Sequence, residues 1–478
     1  MKKDLSAIPS ILPVTGHTDY VGNGTTFVAI KGAQLDGTHF IPVALEKGAT
    51  KIVIQNNAII SENIQRSINL YNPEIIKVED CRKALSELSA QAWNYPAKKL
   101  NIIGITGTKG KTTSTFLVHH LLNFAGYKTA MLSGVQNIIN GQIYEASLTT
   151  PLPDYLHSFL NKCVEEQVQF VVMESSAQAF SLQRLYGIEF SGCVFTNLDL
   201  EHSEFYSTMN EYFEAKCEIF KQMKPNAPVI INKDNQWGEK IASKNKNFLT
   251  FSLLHDSNFR VQVQQNDSTG IKLLIECTKG KYNFFAPNLV GHFNAYNLAG
   301  VIALALELNI YPKTIMDGLL TFSRVPGRME RYSLVNGSLA VIDYAHNPSS
   351  FTQILPTLKT LSNKLIVVFG TGGDRDKQKR PIMGNIAATF ADKVIITSDN
   401  PRSENAQDII NQIFNGIPET HKNKVICEND RAKAIQLAYD IAKPGNIIAI
   451  LGKGPDEYQI IGNKKEYFSD KETILSCK

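Results

Sequence analysis

The chain has 478 residues, more than one hydrophobic core usually organises, so its length predicts about three domains. Hydrophobic residues make up 43% and charged residues 20% of the sequence, a balance typical of globular proteins, and the net charge of +4 indicates no nucleic-acid surface. The sequence shows no apolar run of membrane-spanning length, no signal-peptide core and only scattered cysteines. We therefore expect a cytoplasmic protein that binds neither nucleic acid nor a membrane. A monomer is expected as well, although composition does not specify the oligomeric state.

The first part of the chain is typical of a small mixed α/β domain. Apolar runs at 26–30 and 51–54 predict strands. The polar segment 94–99 contains Pro96 and predicts a linker, because proline interrupts helices and strands. We therefore predict a first domain over residues 1–97.

From Leu100 onward, β-branched runs alternate with helical periodicity, which predicts a parallel α/β sheet. A β-rich insert at 247–287 precedes a helix near 294–308, and the Pro-Gly turn near 325–327 marks the next boundary. We therefore predict a central domain over residues 98–326. Its predicted strands are 101–105, 169–173, 192–196 and 229–231.

The last third contains three apolar strands, each followed by a glycine-rich or polar cluster. The strands are Leu365–Phe369, 394–397 and Ile447–Leu451, and the clusters are GTGGDRD, SDNPR and GKGPDEY. Open α/β sheets bind ligands at the carboxyl ends of their strands. The sequence therefore predicts an α/β domain over 327–478 whose clusters meet at one cleft.

The strongest local motif is GITGTKGKTT at 104–113, between a predicted strand and a predicted helix. In this setting backbone N–H groups and the helix N-terminus bind phosphates, Lys111 reaches the β- and γ-phosphates, and the Thr112 hydroxyl binds Mg²⁺. Ile105 replaces the usual first glycine, and a chance glycine-rich turn is the alternative; the strand–loop–helix context favours the phosphate loop. The expected nucleotide-binding residues are Gly107, Thr108, Lys109, Gly110, Lys111, Thr112 and Thr113.

Three residues are candidate supports for a metal beside this loop. Glu174 ends a predicted strand, where it could bind a metal or act as a helix-cap or turn acid. His202 follows a similar strand end, but a histidine there is more often structural. Lys216 lies in a helical pattern, and taken alone it would be a solvated charge.

Three further segments suit ATP. Asn294 and Asn297 begin a helix, where a side-chain amide could bind adenine or cap the helix. Arg328 follows a Pro-Gly turn and could clamp a phosphate or lie on the surface. Asp343 ends an apolar strand and could bind a ribose hydroxyl, with His346 three residues later.

The combination of motifs resembles the Mur ligases, and most of all the MurE ligases, which add the third stem-peptide residue to a UDP-N-acetylmuramoyl-dipeptide. This resemblance implies an α/β fold of three domains: a small UDP-binding domain, a central ATPase with a parallel sheet, and a Rossmann-like C-terminal domain. The motifs, in chain order, are GTKGKTT, TTP, ESSAQA, TNLDLEHSEF, EYFEAK, GHFNAYN, PGRMER, DYAHNP, GGDRDKQKRP, DNPR and GKGPDEYQ.

The resemblance also implies a mechanism. ATP phosphorylates the terminal carboxylate of the precursor, the incoming amine attacks the acyl phosphate, and phosphate leaves. Two Mg²⁺ ions and cationic side chains stabilise the transferred charge: Thr112 and Glu174 bind one ion, and His202 binds the other. Lys216 matches the family's carbamylated lysine, an anionic support for the second ion. The implied catalytic residues are Lys111, Glu174, His202, Lys216 and Arg328, and the implied adenine, phosphate and ribose contacts are Asn297, Arg328 and Asp343, with His346 alongside.

The resemblance assigns the UDP-linked precursor to the N-terminal and central domains. The family's uridine-binding Asp-Ser-Arg corresponds here to 17–19, where Thr18 keeps a hydroxyl and the arginine is absent. The histidine of the family's E-x-S-S-H motif is Gln178. The residues implied to bind the dipeptide are Thr149, Thr150, Ser176 and Arg184.

The amino acid to be added is expected to be meso-diaminopimelate, with L-lysine or another amino acid as the alternative. Arg375 and Arg402 match arginines that bind the carboxylates of meso-diaminopimelate, and lysine has no distal carboxylate. The usual GKGHE is GKGPD here, so Asp456 replaces glutamate. The implied contacts are Arg375, Asp399, Asn400, Pro401, Arg402, Gly452 and Asp456.

Three other classes of protein share part of this pattern. A folylpolyglutamate synthase has the ATPase core but is not expected to combine DNPR with GGDRD. A P-loop switch or motor would leave the C-terminal clusters unexplained. An inactive binding homologue would not couple ATP consumption to precursor and amine.

Overall fold

The computed structural model describes residues 7–32, 35–199 and 205–478. Among these residues, no helix is both long and apolar enough to cross a membrane. The chain divides into two compact units. The first holds the described residues up to Gln262, Leu274–Phe284 and Tyr296–Leu319, and the second holds Val263–Leu273, Phe285–Ala295 and Leu320–Lys478.

The predicted α/β class is confirmed, and strands and helices alternate along most of the chain. The strands are β1 Val14–Thr15, β2 Thr26–Val28, β3 Lys51–Gln55, β4 Glu74–Val78, β5 Asn101–Thr106, β6 Thr129–Leu132, β7 Gln136–Ile139, β8 Gln142–Glu145, β9 Phe170–Glu174, β10 Gly192–Phe195, β11 Val229–Asn232, β12 Leu249–Ser252, β13 Phe259–Asp267, β14 Gly270–Cys277, β15 Gly280–Ala286, β16 Glu330–Ser333, β17 Leu339–Asp343, β18 Leu365–Phe369, β19 Lys393–Thr397, β20 Val425–Glu428, β21 Ile447–Leu451, β22 Tyr458–Ile461 and β23 Lys464–Tyr467. The helices are α1 Ile41–Glu46, α2 Glu62–Tyr71, α3 Cys81–Ala92, α4 Lys111–Phe124, α5 Pro153–Glu165, α6 Ala177–Ser181, α7 Met209–Lys221, α8 Gln236–Lys244, α9 His292–Glu307, α10 Pro312–Thr321, α11 Pro348–Thr360, α12 Lys379–Phe390, α13 Ala406–Asn415, α14 Glu419–Lys422, α15 Arg431–Ile441 and α16 Asp470–Ser476.

The N-terminal strands form a parallel four-stranded sheet in the order β1-β2-β3-β4. Successive residues of a strand face opposite sides of a sheet. Ile52 and Ile54 accordingly pack in a core with residues of α1 and α2, and Val53 packs with residues of α3. The apolar runs that predicted strands here are covered on both faces, which explains their lack of polar alternation.

The predicted linker 94–99 is ordered. Asn94 and Tyr95 have positive φ angles, and Pro96–Lys99 forms one 3-10 turn before β5. Pro96 and Ala97 are buried, and Ala97 belongs to the core that covers β5. Proline therefore starts a short turn here instead of marking a free linker, because its fixed φ suits the first position of a helical turn.

The central sheet runs in the order β15-β14-β13-β12-β11-β10-β5-β9-β6-β7-β8. The four predicted strands are present as β5, β9, β10 and β11, and the β-rich insert corresponds to β12–β15. β5 lies between β10 and β9 in parallel register, with Thr106 opposite Phe195 and Ile105 opposite Glu174. The chain segments that follow these three strands therefore leave the sheet at the same edge.

The C-terminal sheet has the order β16-β17-β21-β18-β19-β20, with only β16 antiparallel to its neighbour. Its two faces are covered by separate apolar cores. Asp343 at the end of β17 and Phe369 at the end of β18 both pair with Leu451 at the end of β21. Phe369 also pairs with Ile396 of β19, so the clusters after β18, β19 and β21 begin side by side, as predicted.

Candidate active site

Two glycines give the loop between β5 and α4 its shape. Gly107 and Gly110 have φ angles of 143° and 84°, which favour glycine. A Cβ atom would strike the Thr196 hydroxyl at Gly107 and the Asn297 side chain at Gly110. The loop backbone is therefore packed tightly below the N-terminus of α4, where unpaired N–H groups favour an anion.

Side chains that follow β10 hold the loop from outside. The Thr196 hydroxyl donates a 2.6 Å hydrogen bond to the Lys109 carbonyl, and the Lys109 N–H donates a 2.9 Å bond to Asn197 Oδ1. The Lys109 ammonium lies 3.4 Å from Asp199 Oδ2. Sequence analysis did not single out Thr196 and Asn197, although they lie in the TNLD segment at the end of the neighbouring strand.

Lys111 starts α4 and bends back over the loop. Its ammonium donates hydrogen bonds of 3.0 Å to the Gly107 carbonyl and 2.8 Å to the Thr108 carbonyl. Thr112 beside it is 7% exposed. The ammonium therefore lies at the mouth of the loop, where a bound polyphosphate would meet it.

Lys216 on α7 is buried beside the same loop. It is 1% exposed, its ammonium donates a 2.7 Å hydrogen bond to the Gly107 carbonyl, and it lies 4.6 Å from the Tyr212 ring centroid. The Tyr212 hydroxyl is 3.2 Å from Thr108 Oγ1. A solvated surface charge, the alternative for Lys216, is therefore wrong. Burial of an ammonium is costly without such partners.

Glu174 ends β9 next to the phosphate loop. It is 2% exposed, and its Oε1 accepts a 3.0 Å hydrogen bond from the Gly134 N–H. A Cβ at Gly134 would lie 2.9 Å from Thr149 Oγ1, so Thr149 is close to the same segment. Ser176, not Glu174, caps α6. Helix capping, an alternative for Glu174, is therefore excluded.

Three of the four residues predicted to bind the dipeptide, Thr150, Ser176 and Arg184, form one hydrogen-bonded cluster. The buried Thr150 hydroxyl donates to the Glu174 carbonyl at 2.9 Å and lies 3.1 Å from Ser176 Oγ. Arg184 Nη1 donates to the Thr150 carbonyl at 3.0 Å. Burial and the nearby Arg82 lower the pKa of the Arg184 guanidinium. The cluster places one cation and two hydroxyls beside the end of β9.

Thr18 lies elsewhere in the same unit, in a 3-10 turn at Thr18–Tyr20. Its carbonyl accepts a 2.8 Å hydrogen bond from the Lys47 ammonium. The preceding strand β1 is anchored to α5, because the buried Thr15 hydroxyl donates a 2.7 Å hydrogen bond to Asp154 Oδ2. The predicted uridine-binding turn is thus fixed in position through Thr15, a contact that sequence analysis missed.

His202, predicted to bind a metal, lies outside the described residues. Within the ranges that the structure describes, no three His, Cys, Asp or Glu side chains form a metal-binding group. Thr112 and Glu174 remain as buried oxygen donors near the loop. Oxygen donors in small number suit Mg²⁺, which keeps waters and binds substrate phosphates. The donor set fits that ion.

In the second unit, the cluster after β17 closes against the turn at 326–328. The buried Asp343 carboxylate accepts hydrogen bonds of 2.7 Å from the Met329 N–H and 2.7 Å from the Ala345 N–H. Burial raises the pKa of Asp343. The Arg328 guanidinium lies over the Tyr344 ring, 4.7 Å from its centroid. Asp343 and Arg328 thus adjoin one another.

The cluster after β21 adjoins the same turn. The Gly452 N–H donates to the Asp343 carbonyl at 3.1 Å, and a Cβ at Gly327 would strike Pro455. The proline that replaces the family's histidine therefore packs on the Pro-Gly turn. His346 is exposed, and its Nδ1 lies 2.8 Å from the Tyr344 carbonyl.

The clusters after β18 and β19 interlock. The Gly373 N–H donates to the Asn400 carbonyl at 2.9 Å, and Arg402 Nη1 donates to the Gly373 carbonyl at 2.6 Å. Arg402 is partly buried and has a φ angle of 51°, a left-handed backbone. Asp399 is buried with its Oδ2 2.9 Å from a Cβ built at Gly452, whereas Arg375 is exposed.

Lys453 is a buried cation that sequence analysis quoted inside a motif but did not select. It is 1% exposed, and its ammonium donates to Asn400 Oδ1 at 3.4 Å and to the Tyr458 carbonyl. Burial lowers the pKa of Lys453 and raises the pKa of Asp456. Lys453 therefore ties the cluster after β21 to the one after β19.

Comparison with known proteins gives matches along most of the chain. Family models described as "Mur ligase family, catalytic domain", "Mur ligase middle domain" and "Mur ligase, glutamate ligase domain" match residues 19–93, 105–305 and 327–454. A protein of Aquifex aeolicus named UDP-N-acetylmuramoyl-L-alanyl-D-glutamate--2,6-diaminopimelate ligase is 39% identical over 98% of this chain and 94% of its own length. A protein of the same name from Thermosynechococcus vestitus is 37% identical over 94% of this chain and 89% of its own length. A solved structure of a ligase with this name superposes with a TM-score of 0.67 at 27% identity and covers 98% of this chain and 94% of that one.

Proposed function

Because the chain belongs to the Mur ligase family, we propose that it is an ATP-dependent ligase that adds meso-diaminopimelate to UDP-N-acetylmuramoyl-L-alanyl-D-glutamate. The reaction consumes ATP and releases ADP and phosphate during synthesis of a peptidoglycan precursor. The names of the relatives at 37% and 39% identity support this substrate pair. Addition of L-lysine or another amino acid, and a folylpolyglutamate-synthase-like reaction, are the alternatives.

The observation that carries the choice of amino acid is the position of Arg402. Its guanidinium is held by the Gly373 carbonyl at 2.6 Å, in the loop that also contains the GGDRD motif. A guanidinium binds a carboxylate through two parallel N–H donors, and a guanidinium without such a partner disfavours the substrate that lacks the carboxylate. Meso-diaminopimelate offers a distal carboxylate for this pairing, and lysine does not.

Activation of the precursor is assigned to the residues around the phosphate loop. Lys111 neutralises the β- and γ-phosphates, and Arg328 is assigned to a phosphate contact. Thr112 and Glu174 bind Mg²⁺, which supplies charge stabilisation to the transferred phosphoryl group. Lys216, as a carbamate, and His202 support the second ion. Asn297 binds adenine, and Asp343 with His346 binds the ribose.

Substrate positioning is assigned to two groups of side chains. Thr149, Thr150, Ser176 and Arg184 hold the dipeptide so that its terminal carboxylate meets the γ-phosphate, and Thr18 contacts the uridine. The incoming amino acid is held by residues of the C-terminal loops. These are Arg375, Asp399, Asn400, Pro401, Arg402, Gly452 and Asp456.

We assign the domains to 1–97, 98–326 and 327–478. The family models, which match 19–93, 105–305 and 327–454, support these boundaries. The substrates are a UDP-linked sugar peptide and ATP, which are cytoplasmic metabolites, so we assign the protein to the cytoplasm. We propose separately that it is a monomer.

Release of phosphate from ATP tests this function. We expect release only when both UDP-N-acetylmuramoyl-L-alanyl-D-glutamate and an amino acid are present, with meso-diaminopimelate preferred over L-lysine. Release that needs neither compound would indicate a P-loop ATPase. Release with a folate and glutamate would favour the folylpolyglutamate reaction, and no release at all would indicate a binding homologue.

A further inference from the structure

Arg380 is a fully buried cation next to the proposed amino-acid site. It lies in the first turn of α12 and is 0% exposed. Its Nη1 donates a 2.9 Å hydrogen bond to Glu404 Oε2, and its Nη2 donates a 2.9 Å hydrogen bond to Glu404 Oε1, which makes a bidentate ion pair. Nη1 also donates to Gln412 Oε1 at 2.9 Å, and Nη2 to the Gly372 carbonyl at 3.2 Å. Arg380 therefore joins Glu404 to the loop after β18.

Glu404 holds that loop at a second point. Its Oε1 accepts a 2.7 Å hydrogen bond from the Asp374 N–H, and its Oε2 lies 3.2 Å from the Lys377 ammonium. Asp374 and Arg402 have φ angles of 53° and 51°. Such a backbone is costly for residues other than glycine and persists only where surrounding contacts fix it. The Arg380–Glu404 pair supplies contacts of this kind.

Arg402 depends on the same loop for its direction. Its Nη1 donates to the Gly373 carbonyl at 2.6 Å, and the adjacent Gly372 carbonyl is taken by Arg380. A Cβ at Gly372 would lie 2.9 Å from Arg402 Nη1, so the guanidinium packs directly on the loop backbone. Any shift of 372–374 would therefore redirect the Arg402 guanidinium.

We propose that the buried Arg380–Glu404 pair positions Arg402 for the distal carboxylate of the amino-acid substrate, which makes Glu404 a specificity-determining positioning residue. This inference rests on the proposed function. Glu404 contacts Arg380, Lys377 and the Asp374 N–H, and it acts on the substrate through the loop that holds Arg402 and not by direct contact. Its effect is therefore confined to the amino acid and does not extend to ATP or the UDP-linked precursor.

The test is steady-state phosphate release by the full chain carrying Glu404→Gln, which keeps the shape and removes the charge. We expect KM for meso-diaminopimelate to rise between about tenfold and 100-fold, since small misplacements of a binding group have effects of this size. KM for ATP and for the UDP-linked precursor should stay within about twofold, because neither is bound by Arg402. Glu404→Asp, which keeps the charge, should recover much of the preference for meso-diaminopimelate over L-lysine.

The matched control is Asp392→Asn. Asp392 directly precedes β19 and lies beside the first residue of β18, away from the loop that follows β18. Asp392 Oδ2 lies 2.6 Å from the Lys359 ammonium and accepts a 2.7 Å hydrogen bond from the Leu365 N–H. This variant should lower the melting temperature without changing the amino-acid preference. If Glu404→Gln does not fold, Arg380→Lys takes its place. This variant keeps the positive charge but loses the two parallel N–H donors, so we again expect a higher KM for meso-diaminopimelate.

Two results separate this inference from the proposed function. A parent protein without release dependent on meso-diaminopimelate overturns the proposed function and the inference with it. A parent that prefers meso-diaminopimelate, together with a folded variant of unchanged preference or with equal changes in all three KM values, overturns the inference alone.

Discussion

The Lys216 ammonium donates a 2.7 Å hydrogen bond to the Gly107 carbonyl, although 109 positions separate the two residues in the chain. The contact ties helix α7 to the phosphate loop and buries a cation there, since Lys216 is 1% exposed. Two bound metal ions would repel an ammonium at this place, whereas a carbamate on the same side chain would be attracted to them. We therefore propose that Lys216 carries this modification when the metal ions are bound.

Lys216→Ala should be inactive and should be partly rescued by short carboxylic acids. An added acetate or formate can occupy the space of the carbamate and restore the negative charge. The measurement is phosphate release by the variant with and without the acid. Lys221→Ala on the same helix is the control, because that ammonium is exposed and pairs with Glu218 at 2.6 Å. Full activity of Lys216→Ala would remove this lysine from the site.

Lys111→Ala should nearly abolish turnover while the chain stays folded. Loss of one preorganised donor to the transferred charge is worth about 100-fold or more in kcat. Phosphate release and the melting temperature should be measured together, with Lys128→Ala, an exposed lysine bonded to Gln167, as the control. A Lys111→Ala variant with activity within about twofold of the parent would contradict the assignment of this loop.

Local sequence patterns were sufficient to predict the main strands, the phosphate loop and the ends of the C-terminal strands. The strand before the phosphate loop, its glycines and the helix after it are all encoded within about twenty residues, and the glycine and polar clusters after β18, β19 and β21 mark strand ends directly. Thr150, Ser176 and Arg184 were predicted as a group from the family resemblance, and the structure brings them into hydrogen-bonding contact.

Contacts between distant parts of the chain were not predictable. Nothing local indicates that Arg380 pairs with Glu404, or that Arg431 pairs with Asp470, because each partner alone is typical of a solvated surface. The hairpin of β7 and β8 was also missed, since each of its strands has only four residues. Partners of this kind are chosen by the packing of the sheet and its helices, which a single sequence does not specify.

Asp470→Asn should destabilise the C-terminal unit strongly. Arg431 and Asp470 are 0% exposed at their side chains and form two 2.7 Å hydrogen bonds, and Arg431 Nη2 also donates to the Leu451 carbonyl at 3.1 Å. Removing one partner of a buried pair leaves an uncompensated charge and costs about 3–5 kcal/mol. The free energy of unfolding in urea measures this. The control Glu419→Gln, in an exposed pair with Lys422, should change it by less than about 0.5 kcal/mol.

The Arg380–Glu404 pair also predicts a pH dependence of stability. Hydrogen bonds from Arg380 lower the pKa of Glu404 from its ordinary 4.5 to about 2. Because the folded-state pKa is depressed, the stabilisation is fully present above about pH 4.5 and is lost as the pH falls through about 2. The free energy of unfolding of the parent should therefore fall more steeply below about pH 4.5 than that of Glu404→Gln. Parallel slopes would contradict the pairing in solution.

Arg402 neither caps the following helix nor lies free in solvent, and either position would have made it irrelevant to substrate choice. Helix α13, the next helix, is capped by Asn405, whose side chain accepts a 2.8 Å hydrogen bond from the Gln407 N–H. Arg402 itself is partly buried, and its Nη1 is bonded to the Gly373 carbonyl at 2.6 Å. Its guanidinium is thus held among the loops that we assign to the amino acid.

Arg402→Ala should therefore change which amino acid is used. Activity on meso-diaminopimelate should fall by about 2–5 kcal/mol in kcat/KM, the range for truncating one partner of a buried charge pair. Activity on L-lysine should fall much less or rise, because its distal ammonium would no longer face an uncompensated cation. The measurement is the ratio of kcat/KM for the two amino acids in parent and variant, with Arg66→Ala, an arginine with a side chain 79% exposed, as the control. An unchanged ratio, or a parent that already prefers L-lysine, would refute the assignment of meso-diaminopimelate and leave the ligase reaction intact.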